Sequence, residues 1–188
     1  MPVDVYAADE QTTRPVDLER WVALARDVLA DRGVKGDAEV SLLFVDEATI
    51  ASLNERFLGR PGPTDVLAFP IEDEPAPGGR SPDLGGTGPG SESADEPLVL
   101  LGDVVVCPAV AATNAVEHGV SVDDETALLV VHGLLHLLGL DHQVDAEAER
   151  MEAMERQLLA RFHHGTGGPA GGAASDGGAP GGGGGTPR

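Results

Sequence analysis

A chain of 188 residues is long enough for one domain with a substantial core and short for two. Hydrophobic residues make up 41% of it, which excludes a wholly disordered chain, while aromatics are only 3%, so the core must be built from Leu, Val, Ile and Ala. The formal net charge of −20 favours solubility and argues against a broad electrostatic grip on nucleic acid.

In chain order, the opening residues from Met1 lack a basic region followed by an apolar run, so no secretory signal is expected. The spacing predicts an amphipathic helix over 17–31, with Leu18, Trp21, Val22, Ala25, Val28 and Leu29 on one face, Asp17 as cap and Gly33 as terminator. A strand over 39–45 follows. Asp46 then caps a short helix whose buried side is expected to be Ile50, Leu53 and Phe57. Short strands are predicted at 66–69 and 99–106. Between them, 72–97 is rich in Pro, Gly, Ser and acids, and reads as a long flexible insertion. Pro108 starts a helix that ends near Gly119, where His118 suits the negative helix end. Ser121 with Asp124 resembles a capping box for a helix over about 122–138. Asp145 opens the last helix, whose Met151, Met154, Leu158 and Phe162 repeat at helical spacing as core residues. His163 and His164 are expected to be solvated, beside a glycine-rich tail over 165–188 that cannot offset its ordering entropy. The expected architecture is α+β. It is a single domain over 1–164, with a small mixed sheet of about four strands, about five helices and the 165–188 tail disordered.

Cys107 is the single cysteine, which rules out an intramolecular disulfide and fits a reducing compartment. The longest apolar stretch, Ala127 to Leu140, is interrupted by two histidines and falls short of the roughly 20 residues that span a bilayer. A cytoplasmic protein without a membrane partner is expected.

The chemistry lies in the run from His132 to His142. His132 and His136 are four apart, so a helix stacks them on one face. Gly139 sits where such a helix would stop, which lets the chain fold back and deliver His142 as a third ligand. Three neutral imidazoles leave one coordination position open, the arrangement of catalytic rather than structural zinc. One Zn2+ per chain is expected, another divalent metal being an alternative. The same spacing occurs in metzincin proteases, which carry a general-base Glu directly after the first His. Here that position is Gly133, which cannot take a proton, so peptide hydrolysis by that route is disfavoured.

The run His132-Gly133-Leu134-Leu135-His136-Leu137-Leu138-Gly139-Leu140-Asp141-His142 resembles the signature of the YbeY family, bacterial rRNA maturation factors described as metal-dependent endoribonucleases. Two further blocks are similar to the family: Leu53-Asn54 followed by Pro63-Thr64-Asp65-Val66-Leu67-Ala68-Phe69-Pro70, and Leu101-Gly102-Asp103-Val104-Val105-Val106-Cys107. The resemblance spans about residues 2–162. It departs at Leu58, where the family commonly has Arg, and at Ala68, where it usually has Ser. It implies His132, His136 and His142 as metal ligands and single-stranded RNA as substrate. It also implies the small ribosomal subunit with its rRNA 3′ end as partner, beside ribosomal proteins or assembly factors, and no DNA.

Candidate catalytic residues are Asp141, Arg60, Asp65 and Asp103; candidate substrate contacts are Arg56, Arg60 and Thr64. Asp141, next to a ligand, has the alternative of orienting a metal-binding His. Asp65 and Asp103 have the alternative of turn or capping residues, Thr64 that of a backbone hydrogen bond, and the two arginines that of a solvated helix end. Two other functions stay open: a ribosome-assembly binding factor whose metal is mainly structural, and a metallopeptidase of unusual mechanism.

Overall fold

The structure is a computed structural model that describes residues 3–34, 38–71, 99–140 and 145–163. Its elements are β1 (Asp4–Asp9), α1 (Leu18–Asp31), β2 (Ala38–Phe44), α2 (Glu47–Leu58), β3 (Val66–Pro70), β4 (Val99–Val106), α3 (Pro108–His118), α4 (Val122–Leu137) and α5 (Asp145–Leu158), with a π-helical turn over Leu159–His163. The four strands form one sheet in the order β1-β2-β4-β3. β1, β2 and β4 run parallel, and β3 pairs antiparallel with β4. This is the expected α+β fold with a mixed sheet.

Local chemistry explains the helix starts. The Asp17 carboxylate accepts from the Arg20 N–H at 3.2 Å, Asp46 from the Thr49 N–H at 2.8 Å, and the Ser121 hydroxyl from the Asp124 N–H at 3.0 Å. The Thr49 bond also holds the Asp46 carboxyl below its usual range. α2 and α3 stop where Gly59 and Gly119 adopt the left-handed conformation.

The main core lies between one face of the sheet and α1, α4 and α5. β2 alternates cleanly, burying Ala38, Val40, Leu42 and Phe44. α4 is buried almost all round, as a central helix should be. A smaller cluster on the other face joins Ile50 of α2 to Leu67, Val105 and Cys107. Two glycines set close backbone approaches. Gly102 has φ +129°, and a Cβ there would lie 2.1 Å from the Phe69 carbonyl oxygen; it sits where the β2–β4 register shifts. A Cβ on Gly133 would lie 2.5 Å from Val104 Cγ1, so α4 rests directly on β4 at that residue.

Two expectations about side chains need correction. Phe57 is 55% exposed rather than buried, and Asn54 takes the inward position on α2. The reason is that Phe57 belongs to the last turn before Gly59, where it packs edge-on against Phe69 at 5.0 Å between ring centres. His163 is buried at 8% exposure rather than solvated. The π-helical turn carries its ring to within 6.3 Å of Trp21, centre to centre, with Nε2 2.9 Å from Asp124 Oδ1.

Candidate active site

A cleft of about 690 Å³ runs beside β3, which among the described residues is paired on one edge only. His132 and His136 border it from α4, Phe57 from α2, and Arg60, Thr64 and Asp65 from the segment leading into β3. The helix places the two histidines as their spacing requires: their Nε2 atoms are 3.1 Å apart, with ring centres at 4.6 Å and planes at 79°. His132 Nδ1 lies 2.7 Å from Glu155 Oε1 on α5. Glu155 is buried, so this carboxylate fixes the ring and favours the Nδ1–H tautomer, which turns an Nε2 lone pair toward His136.

This arrangement fits a divalent cation. Two imidazole nitrogens about 2.0–2.1 Å from a tetrahedral ion are roughly 3.3–3.4 Å apart, close to the spacing observed. A His ligand whose other nitrogen donates to a carboxylate is the usual outer arrangement of such sites. His142 and Asp141 lie outside the described residues, so two of the three nominated imidazoles are brought together among those described.

The other nominated residues divide. Arg60 is exposed at the cleft, and its guanidinium has no acidic partner among the described residues. Arg56 is also exposed, with its guanidinium carbon 5.3 Å from the Phe57 ring centre. Asp65 borders the cleft, yet its carboxylate accepts from the Val66 N–H at 2.8 Å, the Thr64 hydroxyl at 3.1 Å and Asn114 Nδ2 at 3.0 Å. Those bonds hold the turn, which is the structural alternative for Asp65, while the Thr64 hydroxyl donates to the Asp65 carboxylate rather than to the backbone. Asp103 does not line the cleft. Its neighbour Val104 faces α4, so strand alternation points Asp103 to the opposite face of the sheet.

Two residues were invisible to spacing arguments. Glu155 stands among the apolar positions of the last helix, and a charge on that stripe, four after Met151, was the available signal. Asn54 is buried, and its Nδ2 donates to the Gly62 carbonyl at 2.9 Å, tying the loop that carries Arg60 to α2. His118 lies away from the cleft. Its Nδ1 is 3.0 Å from the buried Glu125 Oε2, and that hydrogen bond raises its pKa above the ordinary 6.5. Burial pushes the Cys107 thiol up, away from reactivity.

The sequence model described as "Endoribonuclease YbeY" matches residues 6–163. The chain belongs to the YbeY family of endoribonucleases. The YbeY endoribonuclease of Salinispora tropica is 46% identical over 147 residues, covering 77% of this chain and 87% of that protein. That of Thermobifida fusca is 47% identical over 147 residues, covering 78% and 86%. The solution structure of a Thermotoga maritima protein aligns with a TM-score of 0.49 at 22% identity, covering 87% of this chain and 93% of that one. The YbeY match takes in every described element from α1 to α5. Among the described residues no helix is long and apolar enough to cross a membrane.

Proposed function

We propose that this YbeY-family chain is a metal-dependent, single-strand-specific endoribonuclease that acts in the cytoplasm on small-subunit rRNA, at its 3′ end, and in ribosome quality control. The observation that carries the reading is the pair of facing imidazoles, His132 and His136, braced by Glu155 at the wall of a cleft that also exposes Arg60. His132, His136 and His142 would hold one Zn2+ or another divalent ion. Such an ion, when bound, supplies Lewis-acid chemistry that polarises a phosphoryl oxygen and acidifies water.

The protein's own groups do the rest. Glu155 holds His132 in the ligating tautomer. Arg60, at the cleft and without an acidic partner among the described residues, offers a cation to a phosphate, and Arg56 a second one from α2. Asp141, adjacent to His142, is proposed to orient the returning imidazole. Asp65 acts first through the turn it holds, in which its carboxylate accepts three hydrogen bonds. The match over 6–163 supports reading 1–164 as one catalytic unit.

Cleavage of a single-stranded RNA is the test. Wild-type protein should cut it, while metal-stripped protein and His136→Ala should not. Loss of cleavage in neither altered form removes the metal from the mechanism. Cleavage of casein instead of RNA favours the peptidase reading.

A further inference from the structure

Six aromatic side chains in Phe, Trp and Tyr are all this chain has, and two of its four Phe residues stand together at the cleft. Phe57 is 55% exposed and meets Phe69 edge-on. Arg56 lies over the Phe57 ring, and Arg60 borders the same cleft. An exposed aromatic on a chain so poor in aromatics, at a cleft that also holds two candidate metal ligands, asks for an occupant.

Charge limits what that occupant's grip can be. The chain is at −20, and at the cleft and on α2 the cations without an acidic partner among the described residues are Arg56 and Arg60. Phosphate neutralisation by two arginines gives a shallow salt dependence, a slope of about −1.4 for a single strand. Affinity must come from elsewhere. Stacking of a base on an aromatic ring needs no charge and tolerates any sequence, because every base has a π-face.

We infer that Phe57, backed by the edge of Phe69, is the stacking platform for one unpaired nucleobase of the RNA strand, and so a positioning residue that seats the strand beside His132 and His136. The inference rests on the endoribonuclease reading of the same cleft. It supplies a physical cause for a single-strand preference: bases in a duplex are already stacked and cannot reach a side chain. The Arg56 guanidinium adds a planar cation at the ring, and the RNA backbone then passes Arg60.

The test uses holo-protein and a short single-stranded RNA carrying 2-aminopurine, whose fluorescence falls when it stacks. Fluorescence is followed by stopped flow before turnover, and cleavage in the same mixtures gives kcat and KM. Wild type should quench the probe. Phe57→Leu, which keeps an apolar side chain but no ring, should abolish quenching and raise Kd and KM by about 5- to 100-fold with kcat little changed. Phe57→Trp should restore both. The salt slope should stay the same in Phe57→Leu and become shallower by about 0.7 in Arg60→Ala. Cleavage by wild type without quenching, or Phe57→Leu binding as wild type does, overturns the platform and leaves the nuclease standing. Neither binding nor cleavage of RNA by wild type sinks both.

Discussion

Replacing Gly133 by Ala tests how closely the helix that carries His132 and His136 must sit on the sheet. The new Cβ would be 2.5 Å from Val104 Cγ1 and 3.2 Å from Cγ2, whereas ordinary contact begins near 3.4 Å. Val104 is fully buried and β-branched, so it has little rotamer freedom to give way. Gly to Ala inside a helix is worth about 0.5–1 kcal/mol by itself. Overpacking a tight core costs about 1–3 kcal/mol. The two terms oppose each other, and the single variant should be destabilised by roughly 0–2.5 kcal/mol. The decisive measurement is the cycle with Val104→Ala, which removes both Cγ atoms. In that background the nearest remaining atom is the Val104 Cβ at 3.4 Å, an ordinary contact, and Gly133→Ala should stabilise by about 0.5–1 kcal/mol. Urea unfolding of metal-stripped protein gives the four free energies without the contribution of metal binding. Activity should follow, since a displacement approaching 1 Å of the His132-bearing helix can cost up to about 100-fold. An effect of the same sign and size in both backgrounds would refute the close-packing argument.

Glu155→Gln keeps the shape but weakens the brace on His132, and should lower metal affinity by about 10- to 100-fold in a competition titration; unchanged affinity would remove Glu155 from the site. His118 has a raised folded pKa, so its bond to Glu125 stabilises fully below pH 6.5 and is lost as pH rises through the folded value. Urea midpoints of wild type and His118→Gln should therefore differ most at low pH and converge at alkaline pH; a constant gap would contradict the ion pair. Ser121→Ala removes the cap of α4 and should cost about 1 kcal/mol, read as a fall in the urea midpoint at constant slope.

Caps and turns were legible because they are local. Asp17, Asp46 and Ser121 each cap the helix their position announces, and β4 occupies the run of residues expected of it. β1 was not, because only Val5 is buried along it and no alternation marks it as a strand. Its place at the sheet edge comes from parallel pairing with β2, a long-range choice. The histidine pair was legible in the same local way, since four residues make one helical turn. Glu155 was not, because it reaches His132 from a helix 23 residues along the chain, and spacing carries no sign of that crossing. Phe57 misled for a related reason: helical periodicity places it with Ile50 and Leu53, but in the last turn of α2 the ring meets Phe69 of β3 edge-on and borders the cleft.

The proposed activity depends on a divalent ion held by His132, His136 and His142. Metal analysis of protein as purified, for wild type, His142→Ala and His118→Ala, addresses this most directly. About one zinc or other divalent ion per chain should be found in wild type and in His118→Ala, and almost none in His142→Ala. A full complement of metal in His142→Ala, or RNA cleavage at the wild-type rate by protein from which the metal has been removed, would contradict it.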